Sequence, residues 1–250
     1  MCHDHDSRPP ASPRSGDVAE RGVLTLTAAD GTDFSAAYAA PAVPAGAGVV
    51  LLPDVRGLHP FYVALAEEFA RAGLRTVAID WFGRTAGVAE GGVRGAEFEW
   101  RSHVEAATPE GMDADIAAAI AYLHERAGAE LPVVTVGFCL GGSLSWRQAG
   151  GDLDLAGCVG FYGRPAVVGD AATRAHLPTV MLIAGADAAT PVADQLALAD
   201  TMRAAGADVD AVVYEGAPHS FFDRAFGEWA DACRDAWAHI LALTDRVALR

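Results

Sequence analysis

The run G-V-V-L-L-P, from Gly48 to Pro53, is apolar without a break until the proline. A strand with one face in water alternates apolar and polar residues, whereas a continuous apolar run is buried on both faces, as parallel strands are. Comparable short segments recur along the chain: R-T-V-A-I-D from Arg75, P-V-V-T-V-G from Pro132, L-A-G-C-V-G-F-Y from Leu155, T-V-M-L-I-A-G from Thr179 and V-D-A-V-V-Y from Val209. Between them lie stretches of helical period. Phe61 to Leu74 places Phe61, Leu65, Phe69 and Leu74 at spacings of four to five, and Met112 to Gly128 places Ile116, Ile120 and Leu123 on one face. Pro191 to Ala205 does the same with Leu196, Ala199 and Met202. Helices are also predicted over 140–149 and over 224–243, the second with a stripe of Phe226, Trp229, Cys233, Trp237 and Ile240. Near the start, V-L-T-L-T from Val23 and F-S-A-A-Y from Phe34 flank Asp30-Gly31-Thr32 and read as an edge hairpin. The alternation predicts an α/β fold, a mostly parallel central sheet of about eight strands flanked by helices on both faces.

At 250 residues and 52% apolar, the chain can bury a substantial core, and a single domain is expected over 22–250. Residues 1–21 read as a flexible, Pro-rich tail, and a metal role for its Cys2, His3 and His5 is set aside in favour of a solvated segment. Residues 81–111, rich in Gly, charge and aromatics, read as an excursion over the carboxyl edge of the sheet. A net charge of −15 leaves no basic patch for phosphates, so no nucleic-acid partner is expected. No apolar run approaches the ~18 residues of a membrane span. Four scattered cysteines (Cys2, Cys139, Cys158, Cys233) form no CxxC pair, and the N-terminus lacks the apolar core of a signal peptide, so a cytoplasmic location is expected.

The chemistry centres on V-T-V-G-F-C-L-G-G-S, residues 134–143. Buried cysteines are usually inert packing, but Cys139 stands between a predicted strand and a predicted helix, the setting of a nucleophile elbow. The tight turn excludes flanking side chains, which Gly137, Gly141 and Gly142 satisfy, and the helix N-terminus offers N–H groups that stabilise a thiolate or an oxyanion. A nucleophile needs a base, and the base needs an orienting group. Downstream, A-D-A-A-T-P puts Asp187 after the Thr179 strand, and E-G-A-P-H-S-F-F puts His219 after the Val209 strand. That order, nucleophile then acid then histidine, is the order of the elbow-based hydrolases. The remaining histidines fall in predicted helices, in the tail or outside the expected loop.

With these residues in place the chain resembles the dienelactone hydrolase family, the α/β-hydrolases that use cysteine. The resemblance rests on G-F-C-L-G-G around Cys139, A-G-A-D ending at Asp187, P-H-S-F around His219, L-P-D-V-R-G ending at Gly57, D-W-F-G-R from Asp80 to Arg84, and G-F-Y-G from Gly160, and it spans roughly residues 22–245. It implies an α/β-hydrolase fold, a Cys139–His219–Asp187 triad, an oxyanion hole from the Val55 and Leu140 N–H groups, and no cofactor. It also implies a resting-thiol contact at Asp54, where the family has the longer glutamate; the alternative for Asp54 is a turn cap. For substrate binding the resemblance points to Arg84, Arg94, Trp100 and Arg224, although Asp223 occupies the position after the histidine motif where the family has an arginine. Arg56 and Arg101 are further candidates.

The expected function is a cysteine-dependent hydrolase of lactones or activated carboxylic esters, acting through a thioester acyl-enzyme on a small molecule, as a monomer or small homo-oligomer. The alternatives are hydrolysis of arylesters or thioesters, and a non-catalytic ligand-binding protein of the same fold.

Overall fold

The computed structural model describes residues 7–224 and 227–249. Its strands are β1 (Val18–Thr27), β2 (Asp33–Pro41), β3 (Gly48–Leu52), β4 (Arg75–Ile79), β5 (Val133–Phe138), β6 (Gly157–Phe161), β7 (Thr179–Ala184) and β8 (Val209–Tyr214). They form one eight-stranded sheet in the order β1-β2-β4-β3-β5-β6-β7-β8. The hairpin β1–β2 and the β2–β4 pair are antiparallel, and every pair from β4 to β8 is parallel. The helices are α1 (Pro60–Arg71), α2 (Gly83–Ala86), α3 (Trp100–Ala106), α4 (Pro109–Ala127), α5 (Leu140–Gln148), α6 (Pro165–Val168), α7 (Val192–Ala205) and α8 (Ala230–Ala248).

The unbroken apolar run of β3 is explained by helices on either side of it. Val49 and Leu51 pack with Phe61, Leu65 and Phe69 of α1 and with Trp237 and Ile240 of α8. Val50 and Leu52 pack with Ile116, Ile120 and Leu123 of α4. On the α4 side, Trp146 of α5 and Leu198 and Met202 of α7 cover Met181 and Ile183 of β7. Two helix starts are set locally. Pro60 and Pro109 each open a helix, where the missing N–H costs nothing. His59 Nδ1 accepts the Phe61 N–H at 3.1 Å, and Thr108 Oγ1 accepts that of Gly111 at 3.2 Å.

The sheet order fixes where a ligand can enter. β3 lies between β4 and β5, so the chain winds outward on one side and then returns to build the other. The connections leaving β3 and β5 diverge there, which opens a crevice at the carboxyl ends of the strands.

Three sequence expectations are corrected. β1 begins at Val18 rather than Val23. The last helix spans Ala230–Ala248 rather than 224–243, because Phe221 and Phe222 are fully buried and hold the preceding chain in a loop; Phe226 lies outside the described residues. The segment read as a flexible tail lies, from residue 7 onward, against the body. Ser7, Pro9 and Pro10 are buried, Ser12 N–H donates to Glu68 Oε2 at 2.9 Å, and Gly16 N–H donates to the Arg71 carbonyl at 2.9 Å. Cys2, His3 and His5 lie outside the described residues.

The chain contains no lysine, and its 18 basic side chains are all arginines. They tie distant elements together, as in Arg14–Asp245, Arg147–Asp113 and Arg246–Asp208. No helix is long and apolar enough to cross a membrane among the described residues.

Candidate active site

Cys139 follows β5 directly and caps the N-terminus of α5 with φ 55° and ψ −110°, a conformation a residue with a side chain adopts at a cost. The surrounding glycines permit it. A methyl group added at Gly137 would strike the Gly141 carbonyl, one at Gly141 the Leu52 carbonyl of β3, and one at Gly142 the Phe161 carbonyl of β6. The first turn of α5 is thus wedged between the ends of three strands. Ser143 fastens it: its hydroxyl donates to the Cys139 carbonyl at 3.0 Å and accepts the Arg164 N–H at 2.7 Å.

Asp187 follows β7 and His219 follows β8. The Asp187 Oδ2 lies 2.7 Å from His219 Nδ1, while Oδ1 accepts the N–H groups of Ala189 at 2.8 Å and Thr190 at 3.3 Å. Burial pushes the Asp187 carboxyl upward, but His219 and the two N–H groups outweigh it and hold the group below its ordinary value. The Tyr162 ring, in a left-handed turn (φ 37°) after β6, lies against His219 with centroids 4.7 Å apart.

These groups open on one cavity of about 930 Å³, lined by Cys139, Leu140, Asp187, His219, Val55 and Trp100 among others. The excursion walls one side of it with Phe98, Trp100, Arg101 and Val104. No acceptor among the described residues takes the N–H of Val55 or of Leu140. For Leu140 this follows from its place in the first turn of α5.

Three of the arginine candidates lie elsewhere. Arg84 pairs with Asp115 at 2.9 Å and Asp30 at 2.5 Å. Arg94 is buried, donating to Asp80 Oδ2 from Nε at 2.9 Å and stacking over Phe98 at 4.7 Å, so it anchors the excursion. Arg224 donates to the Pro9 carbonyl from Nε at 3.2 Å and Nη2 at 2.9 Å. These three are corrected from substrate-facing to structural residues: their guanidinium groups are engaged by the body of the protein, and none lines the cavity. The Asp54 carboxylate accepts the Arg56 N–H at 2.8 Å in a turn and grips the Arg56 guanidinium, with Nη2–Oδ2 at 2.9 Å. Burial disfavours the Arg56 charge, yet Asp54 more than compensates and raises its pKa above the ordinary value. Arg56 does line the cavity, with His59, Arg101 and Arg164. Ser143, Arg164 and His59 were not among the candidates. Their signal was position alone: Arg164 follows the strand-end motif G-F-Y-G, and His59 lies in the loop after β3. Among the described residues, no cluster of three or more His, Cys, Asp or Glu side chains is placed to hold a metal.

The model of the Dienelactone hydrolase family matches residues 34–247. The chain belongs to the dienelactone hydrolase family. As a member of that family it is a hydrolase of the carboxylic ester and lactone class. A Salmonella typhi protein with the provisional name carboxymethylenebutenolidase is 26% identical over 262 residues, covering 96% of this chain and 94% of its own. The carboxymethylenebutenolidase of Pseudomonas sp. (strain P51) is 28% identical over 149 residues, 56% of this chain and 59% of its own. Among solved structures, a dienelactone hydrolase-like promiscuous phosphotriesterase from metagenomic libraries superposes with a TM-score of 0.74 at 20% identity, covering 91% of this chain and 98% of that one. That likeness is one of fold, the α/β-hydrolase fold.

Proposed function

We propose that this family member hydrolyses lactones or activated carboxylic esters through a thioester on Cys139, in the cytoplasm. The observation that carries the reading is the convergence of Cys139 and the hydrogen-bonded His219–Asp187 pair on one cavity. His219 takes the Cys139 proton, and Asp187 fixes the imidazole tautomer and stabilises the charge it acquires. The thiolate attacks the carbonyl carbon, and the resulting oxyanion rests on the Val55 and Leu140 N–H groups. As the tetrahedral species collapses, the alkoxide leaves with the proton from His219, forming the thioester. Water, deprotonated by His219, then attacks the thioester; the acid departs and the thiol is restored. For a lactone, the leaving alkoxide stays attached to the acyl group, so one product is released.

The test is turnover of p-nitrophenyl acetate by the parent and by Cys139→Ala. Loss of enzymatic turnover in the variant, with alkylation of the parent by iodoacetamide at Cys139, is expected. Equal rates would sink the nucleophile assignment. A screen over dienelactones, simple lactones and short esters then ranks substrates by kcat/KM.

A further inference from the structure

The N-terminal segment Ser7–Pro10 reaches both halves of the active site. Its first residue, Ser7, is buried, and the hydroxyl oxygen accepts Arg56 Nη1–H at 3.2 Å. Arg56 lines the cavity and immediately follows Val55. One residue on, the Arg8 N–H donates to Asp223 Oδ1 at 3.1 Å, and the Arg8 carbonyl accepts the Arg224 N–H at 2.8 Å. The Arg224 guanidinium holds the Pro9 carbonyl, and the Trp237 indole N–H donates to that of Pro10 at 3.4 Å.

Asp223 and Arg224 stand four and five residues beyond His219. Between them Ser220 is in the left-handed region at φ 66°. A non-glycine residue keeps such a conformation only where its surroundings over-determine it. Phe221 and Phe222, both fully buried, fix one side of the loop. The hydrogen bonds of Asp223 and Arg224 with Arg8 and with the Pro9 carbonyl fix its end. The same four residues therefore clamp the loop that presents Val55 and the loop that presents His219.

We propose that Ser7–Pro10 is a positioning element of the active site, holding the oxyanion donor and the general base in register with Cys139. The proposal rests on the catalytic reading above. None of the four residues lines the cavity, so their effect is exerted through Arg56, Asp223 and Arg224. An element of this kind acts on kcat, because a displacement of about 1 Å between reacting groups costs up to about a hundredfold in rate.

The experiment compares the parent, a variant lacking residues 2–10, Ser7→Ala, Ser7→Thr and Arg14→Ala, the last breaking a surface ion pair to Asp245 made just beyond the segment. Cys139→Ala is run alongside. Readouts are kcat and KM for p-nitrophenyl acetate, normalised to Cys139 titrated with iodoacetamide, and the thermal midpoint. The deletion is expected to lower kcat by about ten- to a hundredfold with the smaller change in KM. Ser7→Ala is expected to lower it about threefold, the worth of one modest hydrogen bond, at an unchanged midpoint, with Ser7→Thr restoring it. Arg14→Ala keeps the parental kcat. If the deletion variant does not fold, Ser7→Ala and Ser7→Thr decide. Parental kcat in the deletion variant, or in Ser7→Ala, overturns the positioning role, as does a change confined to KM. Parental activity in Cys139→Ala is the distinct signature that the catalytic reading itself has failed.

Discussion

Asp187 shows how much a single side chain can be asked to do at this site. Its carboxylate is fully covered, with one oxygen on His219 and the other on two backbone N–H groups. These partners hold its pKa below the ordinary 3.8. A carboxyl depressed in the folded state adds stability above its unfolded value and loses it as pH falls through the lower folded value. The difference in unfolding free energy between the parent and Asp187→Asn should therefore be fully present at about pH 5 and shrink below about pH 4, which denaturant titrations across that range would show. The same substitution should lower kcat by about three to four orders of magnitude, because the amide favours the wrong imidazole tautomer. A variant with near-parental kcat would remove Asp187 as the orienting acid. At this scale the sequence was most legible where sterics are local. The glycines around Cys139 declare the elbow because no side chain fits against the Leu52 and Phe161 carbonyls. The arginines were least legible, since a guanidinium on a long stem takes its partner from elements remote in sequence. Arg94 found Asp80, and Arg224 found Pro9.

Helices and strands announced themselves in proportion to how regular their burial is. β3, β5 and β7 are buried along their whole length and read as apolar runs, interrupted in β5 only by Thr135 and opened in β7 by Thr179. The start of α4 lies three residues before the first apolar position, at a Thr-Pro pair that caps the helix instead of packing it. Thr108→Ala should thus cost about 1 kcal/mol of stability in a denaturant titration, with kcat unchanged, since the hydroxyl serves only the helix end. A change in kcat would show that α4 transmits to the cavity wall. The sequence pattern starts α8 six residues too early because an aromatic stripe at helical spacing continues N-terminal of Ala230, where Gly227–Trp229 forms only a 3-10 turn. Periodicity reports which residues are apolar; whether the backbone coils depends on Phe221 and Phe222, whose burial takes precedence over the helix.

Across the whole molecule, Cys139, Asp187 and His219 follow β5, β7 and β8 at the carboxyl edge of the sheet, which the sequence indicates by strand–helix alternation together with the elbow motif and the order of the three residues. The N-terminal segment reads as a flexible tail because it has no period, and the buried Pro9–Pro10 pair, held by Arg224 and Trp237, looks in sequence like prolines in solvent. The arginine-only cation set has a further consequence, on the alkaline side. A guanidinium keeps its proton to beyond about pH 12, whereas an ammonium surrenders it near about pH 10.4, so the ion pairs of this chain survive a rise in pH that would dissolve lysine pairs. What yields first is sulfur. Burial pushes the Cys158 and Cys233 thiols from 9.0 up to about 12. An acid raised in the folded state contributes stability below its unfolded value and loses it as pH climbs toward the folded one, so stability should hold to about pH 9 and decline above it. Replacing both cysteines with alanine should flatten that decline in unfolding free energy, and an equally steep decline would refute the assignment. Base denaturation of this enzyme then begins at two interior thiols that the unfolded chain ionises before the native one does, with the buried Tyr214 hydroxyl, also raised, adding to it at higher pH.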